Sequence, residues 1–197
     1  MSTSQPIPAI LLAAGASTRL GHPKQLVKVN GETLLHRAAR LALEAGCHPV
    51  IVVLGAEEAA IRPTLEGLAI LPVLNPDWSE GMGSSLHHGM QAMLQASPQA
   101  GAVLLLVCDQ AKLSREHLGH LMATYRTSQN PIVASRYEKH PGVPAIFSSQ
   151  FFSDLLKSQG DQGARDLLRR HSAQTAYVNF PEGSADIDTP QDLETLT

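Results

Sequence analysis

A short segment near the amino terminus, residues 11–26, carries residue types suited to binding a polyphosphate. It reads LLAAGASTRLGHPKQL and follows directly on an apolar run. Small residues let a backbone approach phosphate oxygens, and the N–H groups of the turn at Ala14 and Gly15 can point at them. Two cations, Arg19 and Lys24, supply the countercharge. The segment therefore predicts a phosphate-binding loop at the end of a buried strand.

This loop departs from the two best-known phosphate loops. The dinucleotide fingerprint G-x-G-x-x-G requires a second glycine where Ser17 stands. The P-loop requires a lysine directly after its second glycine, whereas Gly21 is followed by His22. The remaining pattern is L-x-x-G-x-S-x-R-x-G-x-x-K, which begins at Leu12 and includes Ala13. The alternative interpretation of this segment is a surface loop with two solvated cations.

A carboxylate follows the most apolar run of the chain. Residues 103–107 lead through Cys108 into Asp109. Because the carboxyl ends of parallel strands meet at one edge of a sheet, Asp109 is expected beside the phosphate loop. There it is predicted to hold Mg²⁺ against a triphosphate. The alternative is an aspartate that only caps a turn before a helix that starts at Ser114.

A second acidic pair, Asp186 and Asp188, lies in the terminal sequence DIDTPQDL. Alternate residues of an extended segment share a face, so both carboxylates can point at one site. Asp188 precedes a helix start marked by Thr189 and is predicted as the second Mg²⁺ ligand. The alternative is that both residues serve the loop and the helix cap.

Two further segments contain candidate substrate contacts. NPDWSEGMGSSLHHGM, residues 75–90, combines a loop with a helix start, and its predicted nucleotide contacts are Asn75, Gly83, Ser84 and Ser85. An ordinary capped entry into a helix is the alternative for this segment. HPGVPAIF, residues 140–147, is a stiff turn entering a strand, and its predicted acceptor contacts are Gly142 and Pro144. A structural hairpin is the alternative there.

Positioning these residues requires strands that alternate with helices. Apolar runs predict strands at 8–13, 50–54, 69–74, 102–107, 132–135, 144–148 and 176–178. Helical spacing and capping residues predict helices at 34–45, 56–65, 84–95, 114–125, 151–157 and 164–170. We expect an α/β fold, with one three-layer α/β/α domain over residues 1–197 and a mostly parallel, doubly wound, Rossmann-like sheet. Residues 1–6 are expected to form a flexible tail.

Composition narrows the function classes. The chain has 197 residues, a formal net charge of −3 and 4% aromatic residues, which argues against a nucleic-acid surface. No run of apolar residues is long enough to span a membrane. The two cysteines, Cys47 and Cys108, lie far apart outside any metal-binding spacing. We therefore expect a cytoplasmic protein that binds neither nucleic acid nor membrane.

The order of these motifs resembles the MobA-like nucleotidyltransferases, in particular their molybdenum cofactor cytidylyltransferase branch. The resemblance rests on LAAGASTRLGHPK, NPDWSEGMGSSLHHG, CDQ, HPGVPAIF and DIDTPQDL, and it covers nearly the whole chain. It implies that the first motif, with Arg19 and Lys24, holds a nucleoside triphosphate, and that Asp109 and Asp188 hold Mg²⁺. The family usually has a proline after Asp–Gln, where this chain has Ala111.

The resemblance implies transfer of CMP from CTP to the phosphate of molybdopterin, a phosphorylated pterin, with release of pyrophosphate. Ala14 replaces a glycine that is typical of the guanylyl relatives, and the Gly-Met-Gly-Ser-Ser run resembles the cytidylyl branch. A molybdenum hydroxylase is an implied protein partner. The alternatives are a GTP-dependent guanylyltransferase, a sugar-phosphate nucleotidylyltransferase, and a non-catalytic binding partner that helps a molybdenum enzyme to mature.

Overall fold

The computed structural model describes residues 5–18, 20–137, 140–160 and 163–184. Its strands are β1 (Ala9–Leu12), β2 (Lys28–Val29), β3 (Glu32–Thr33), β4 (Val50–Leu54), β5 (Leu71–Leu74), β6 (Ala102–Val107), β7 (Ile132–Tyr137), β8 (His140–Ser148) and β9 (Thr175–Asn179). Its α-helices are α1 (Leu34–Glu44), α2 (Glu58–Ile61), α3 (Met82–Ala96), α4 (Arg115–Thr127), α5 (Phe152–Leu156) and α6 (Gly163–Arg170). The predicted alternation of strands and helices is confirmed.

Seven strands form one sheet in the order β5-β4-β1-β6-β8-β7-β9. The strands β5, β4, β1 and β6 are parallel to one another, and β9 is parallel to β7. Only β8 runs against its neighbours β6 and β7. From β1 the chain moves outward to β4 and β5, and then crosses to β6 on the other side of β1. Such a switch point opens a crevice beyond the carboxyl ends of the strands.

Helices cover both faces of the sheet and make three layers. Along β1, Ala9 and Leu11 pack into one core with α1 and α4, whereas Ile10 packs into a second core with α3 and α6. Successive strand residues point to opposite faces, so burial of both faces explains why the strand sequences are apolar without alternation. The predicted α/β/α class with a mostly parallel sheet is confirmed.

Helix α3 lies unusually close to the sheet at Gly89. A Cβ atom at this position would lie 2.6 Å from Cγ2 of Ile10 and 3.0 Å from Cγ2 of Val53. Only glycine permits that separation, because both neighbouring atoms belong to buried strand side chains. The amino-terminal end of α3 lies near the carboxyl ends of β1 and β6.

Two local features differ from the sequence prediction. The single helix expected at 56–65 is instead the short α2 followed by a 3-10 turn, Arg62–Leu65. Pro63 explains the change, because it has no N–H to donate and so cannot continue the hydrogen bonds of an α-helix. The hairpin of β2 and β3 was not predicted, although its Asn30 and Gly31, with φ of 53° and 84°, form the Asn-Gly pair typical of such turns.

Across the described ranges, the structure has no helix whose length and apolar character would let it cross a bilayer.

Candidate nucleotide-binding site

A cavity of about 380 Å³ lies beyond the ends of β1 and β6, at the switch point of the sheet. The predicted residues that line it are Leu12, Ala13, Ala14, Gly15, Lys24, Ser85 and Asp109. The predicted residues that do not line it are Asn75, Gly83, Ser84, Gly142 and Pro144. Arg19, Asp186 and Asp188 lie outside the described residues. The structure thus brings the first motif and Asp109 together around one space.

Gln25 holds the loop that follows β1 in shape. Its side chain is buried, and Nε2 donates to the main-chain oxygens of Ala13 at 2.7 Å and Gly15 at 2.9 Å. Ser17 has a left-handed φ of 53°, and its Oγ accepts from the N–H of Lys24 at 3.0 Å. These contacts fold the loop back onto the short 3-10 helix Lys24–Leu26. The loop predicted to bind phosphate is therefore held in shape by the side chains of Gln25 and Ser17.

The exits of β1 and β4 approach each other closely at Ala14 and Gly55. The N–H of Ala56 donates to the oxygen of Ala14 at 3.0 Å. A Cβ atom on Gly55 would lie 2.7 Å from that oxygen, 2.8 Å from Cβ of Ala14 and 2.6 Å from Cβ of Trp78. Glycine is required at 55 for this approach, and the methyl group of Ala14 packs against it.

Lys24 and Asp109 form an ion pair at the cavity, with Nζ of the lysine 2.5 Å from Oδ2 of the aspartate. Their side chains are 22% and 15% exposed, so the pair is only partly screened by water. The second carboxylate oxygen, Oδ1 of Asp109, is buried without a hydrogen-bond partner. A buried carboxylate oxygen without a hydrogen bond destabilises the folded protein. A ligand that binds this oxygen would remove that destabilisation.

Asp109 has the chemistry of a Mg²⁺ ligand. Within the described ranges, no three His, Cys, Asp or Glu side chains are close enough together to hold a metal by themselves. Protein-bound Mg²⁺ usually takes one or two carboxylates and completes its shell with phosphate and water oxygens. The partnerless Oδ1 therefore fits a metal that arrives with a nucleotide. Burial, helped by the nearby carboxylate, raises the pKa of the Cys108 thiol to about 12, so this neighbour stays a neutral thiol.

The second motif is built around the fully buried amide of Asn75. Its Nδ2 donates to Oγ of Ser84 at 2.9 Å and to Oγ of Ser85 at 3.0 Å, and its Oδ1 accepts from the N–H of Asp77 at 2.9 Å. The Ser84 hydroxyl donates back to the oxygen of Asp77 at 2.8 Å. Asn75 and Ser84 thus stabilise the loop, while Ser85 accepts from Asn75 and lines the cavity with its hydroxyl proton available to a ligand.

Gly83 serves a contact within the protein. A Cβ atom there would lie 2.6 Å from the backbone of Gln159, and the Gly83 N–H donates to the oxygen of Gly160 at 2.7 Å. The adjacent His87 and His88 each place Nδ1 within 2.8–2.9 Å of a main-chain oxygen. Neither histidine lines the cavity.

The candidate acceptor residues lie where β8 bulges away from β7. The register shifts just before Ser135, which pairs with Gly142, so Val143 and Pro144 leave the ladder. Side chains bind the two carbonyl groups released by this bulge. Ser135 donates to the oxygen of Pro144 at 2.8 Å, and Gln110 donates to the oxygen of Val143 at 2.9 Å.

Several residues in or beside the site were not predicted, and three of them are informative. Trp78, the single tryptophan of the chain, lines the cavity, and its uniqueness within the second motif is a signal that could have found it. Gln25 and Gln110 act by satisfying main-chain carbonyl groups far away in sequence. No local pattern marks a glutamine for that task.

A mostly parallel α/β sheet that gathers a small-residue loop, a lysine and a carboxylate at its switch point defines a class of nucleotide-binding proteins. The comparison with known proteins is more specific. The chain belongs to the MobA-like NTP transferase domain family, whose model matches residues 9–175.

The chain is also similar to named proteins and to solved structures. A nicotine blue oxidoreductase of Paenarthrobacter nicotinovorans is 33% identical, with 96% of each chain covered. A probable molybdenum cofactor guanylyltransferase of Nostoc sp. is 28% identical over 95% of this chain and 89% of the relative. The solved structure of Rv0371c from Mycobacterium tuberculosis H37Rv has a TM-score of 0.79 and 28% identity, covering 98% of each chain. Rv0371c has also been solved in complex with manganese.

Proposed function

We propose that this protein transfers CMP from CTP to the phosphate of molybdopterin, the organic part of the molybdenum cofactor, and releases pyrophosphate with the help of Mg²⁺. The observation that carries the proposal is the pair of Lys24 and Asp109 facing the small-residue loop in one cavity. This pair offers a cation for phosphate oxygens and a carboxylate for a metal, which nucleotidyl transfer requires.

The donor nucleotide would lie along the loop after β1. Lys24 and Arg19 would offset the charge that develops on the α-phosphate and on the departing pyrophosphate. The rigid loop held by Gln25 would orient the triphosphate, which lowers the entropic part of the barrier. The Ser85 hydroxyl, held by Asn75, would donate to the base or the ribose.

We favour CTP over GTP on two features of the sequence. Ala14 replaces a glycine that is typical of the guanylyl relatives. Ala14, packed against Gly55, sets the separation between the exits of β1 and β4 on which a base would rest. The Gly-Met-Gly-Ser-Ser run at the start of α3 resembles the cytidylyl branch.

Asp109, with Asp188 as a second carboxylate, would hold Mg²⁺. When bound, the metal would supply positive charge to offset the negative charge of the phosphates. The reaction forms a bond between an oxygen of the acceptor phosphate and the α-phosphorus of CTP, and breaks the bond from that phosphorus to pyrophosphate. The acceptor phosphate is already ionised at neutral pH, so the protein needs no general base. Its residues act by binding and orientation.

The acceptor would approach from the side of β8. Gly142 and Pro144 flank the bulge whose carbonyl groups are bound by Gln110 and Ser135. A segment with little side-chain bulk and fixed carbonyl positions suits a flat, polar ring system such as a pterin. A molybdenum hydroxylase that receives the finished cofactor is the protein partner we propose, and the cytoplasm is the compartment.

The second candidate is guanylyl transfer from GTP to the same acceptor. It is favoured by the names of several relatives, including probable molybdenum cofactor guanylyltransferases of Nostoc sp. and Opitutus terrae. A sugar-phosphate acceptor and a purely binding role in the maturation of a molybdenum enzyme are further alternatives. Measurable pyrophosphate release would exclude the purely binding role.

The test begins with thermal stabilisation by Mg²⁺ together with CTP, GTP, ATP or UTP. A ligand that binds the native state raises the melting temperature by mass action. The largest shift is expected with CTP, followed by pyrophosphate release when molybdopterin is added. A larger shift with GTP would favour the guanylyl alternative. NADPH belongs in the same panel, because one relative is named an oxidoreductase, and stabilisation by NADPH alone would contradict nucleotidyl transfer.

A further inference from the structure

The strands β6 and β8 are paired over only part of their length. Their ladder ends where Leu105 is opposite Ala145. Beyond this point β6 continues toward Asp109, while β8 bulges at Val143. Main-chain hydrogen bonds therefore no longer join the two strands at the ligand edge, and another contact must set their separation there.

The side chain of Gln110 makes that contact. It is 6% exposed, and Nε2 donates to the oxygen of Val143 at 2.9 Å and to the hydroxyl of Tyr137 at 3.2 Å. The Tyr137 hydroxyl itself donates to the same Val143 oxygen. A carbonyl oxygen only accepts, so the amide nitrogen must face Val143 and its orientation is defined. The Gln110 side chain thus ties the bulge of β8 to the chain directly after Asp109.

The ring of Tyr137 is fixed from several sides. A Cβ atom on Gly142 would overlap the ring, and one on Gly183 would lie 2.7 Å from its Cδ1. Phe180 packs against the ring edge-to-face, with 6.2 Å between ring centroids. The hydroxyl group that meets Gln110 is therefore held in place by packing, which makes the bulge a rigid part of the site.

Gln110 also has a buried polar atom that an apolar side chain of the same shape would lack. Its Oε1 is buried and makes no hydrogen bond. An apolar side chain of the same shape would avoid the cost of this unpaired oxygen, but it would also remove the N–H groups from which Val143 and Tyr137 accept. The amide is therefore explained by its contact with the bulge and not by burial alone.

We propose that Gln110 is a positioning residue for the acceptor substrate. It keeps the Val143 carbonyl and the neighbouring Gly142 and Pro144 at a fixed place relative to Asp109, so that the acceptor phosphate meets the α-phosphate of the nucleotide. It does so without touching substrate or metal. This inference rests on the proposed function, since it assigns the side of the site that takes the acceptor.

The test compares Gln110→Met with wild type, using Mg²⁺, CTP and molybdopterin. Methionine removes both N–H donors at nearly constant volume. The KM for molybdopterin is expected to rise at least tenfold, while the Kd of Mg²⁺–CTP stays within twofold. Gln25→Met, the matched change on the donor side, is expected to raise the Kd of Mg²⁺–CTP and to leave the KM for molybdopterin within threefold.

Tyr137→Phe supplies a milder variant if Gln110→Met does not fold. It removes one hydroxyl and keeps the packed ring, and we expect a rise of about threefold in the KM for molybdopterin. An unchanged acceptor KM in the folded variants would overturn the proposal. So would a rise in the Kd of Mg²⁺–CTP as large as the rise in acceptor KM, because Gln110 would then act on the donor side.

Failure of the proposed function is distinguishable. Wild-type protein that binds Mg²⁺–CTP but releases no pyrophosphate with molybdopterin would overturn that function. Hydrogen exchange in the Mg²⁺–CTP complex then decides the role of Gln110. Faster exchange over 140–148 in Gln110→Met, with unchanged exchange over 9–26, supports the part of the proposal in which Gln110 holds this segment in place. Equal exchange over 140–148 in both proteins overturns it.

Discussion

Nζ of Lys24 lies 2.5 Å from Oδ2 of Asp109, so the expected phosphate-binding cation is bound to the expected metal ligand. A divalent cation at the partnerless Oδ1 and the ammonium group at Oδ2 would share one carboxylate and repel each other. Metal binding at Asp109 is therefore expected to be weak while Lys24 stays paired, and the phosphates of an incoming nucleotide offer the lysine a new partner. Metal and nucleotide are thus expected to bind together.

Lys24→Met tests this exchange. The variant is expected to bind Mn²⁺ alone severalfold more tightly, because the carboxylate is no longer shared, and to bind Mg²⁺–CTP at least tenfold more weakly, because a countercharge is lost. Electron paramagnetic resonance of free Mn²⁺ measures the first effect, and calorimetry measures the second. Lys28→Met, on the exposed β2, is the control. Equal Mn²⁺ binding by wild type and Lys24→Met would show that the ion pair does not compete with metal.

Asp109→Asn is expected to lower the rate of pyrophosphate release about 10³-fold, equivalent to ~4 kcal/mol of transition-state stabilisation. The rate is expected to fall because asparagine binds Mg²⁺ poorly. Because asparagine has nearly the same shape as aspartate, circular dichroism and the melting temperature are expected to change little. Asp154→Asn, on the surface of α5, is the matched control. A folded Asp109→Asn variant with a near-normal rate would contradict the metal assignment.

Substitution by alanine is expected to weaken nucleotide binding at Gly15 and to lower stability at Gly55. A Cβ atom on Gly15 would have no heavy atom within 4 Å, so Gly15→Ala should leave the melting temperature nearly unchanged and raise the Kd of Mg²⁺–CTP by obstructing the phosphates. A Cβ on Gly55 would overlap Ala14 and Trp78, so Gly55→Ala should lower the free energy of unfolding by about 1–3 kcal/mol. Urea denaturation and calorimetry measure the two effects, and Gly101→Ala, with open space around it, is the control. Nucleotide binding that survives Gly15→Ala intact would argue against close phosphate approach there.

His117 is expected to make the fold sensitive to acid. It stacks on Phe180 with 4.2 Å between ring centroids, and Nε2 donates to Oγ of Ser135 at 2.8 Å. Burial, together with the charge of His120 and against the opposing effect of Glu182, lowers the pKa of His117 from 6.5 to about 4. The folded protein favours the neutral ring. Its stability is therefore complete above about pH 6.5, decreases as the pH falls toward 4, and loses at most ~3 kcal/mol through this group.

Urea denaturation at pH 7 and pH 4.5 measures that loss. His117→Gln, which cannot take up a proton, is expected to lose less stability between the two values than wild type. His48→Gln, at an exposed position just before β4, should behave like wild type. Equal losses in wild type and His117→Gln would assign the acid sensitivity to other groups.

Much of the fold could be predicted because the relevant signals are local. Strands β4 and β6 match the predicted residues, since burial on both faces requires an unbroken apolar run. Helix α1 ends where Gly46, with φ of 87°, allows a left-handed turn. Ser114 caps α4 as predicted, accepting from the N–H of His117 at 3.2 Å.

The parts of the site that escaped prediction depend on contacts between distant residues. Gln110 binds a carbonyl group 33 positions further along the chain, and that carbonyl is available only because β8 bulges. Gly83 looked suited to a ligand, but the atoms that approach it belong to the backbone of Gln159. Spacing in the sequence reports which residues share a face, not which groups a folded chain leaves without partners.

Because β8 runs against β6, its first residues rather than its last lie at the ligand edge. The half of the cleft that is proposed to take the nucleotide is assembled from the ends of β1 and β6, each of which has a neighbouring strand on both sides. The opposite half depends on where the chain enters an antiparallel strand. Insertions ahead of β8 can therefore reshape that half while the four parallel strands keep their alignment. Proteins that share this sheet can in this way bind different second substrates through changes in the hairpin of β7 and β8 alone.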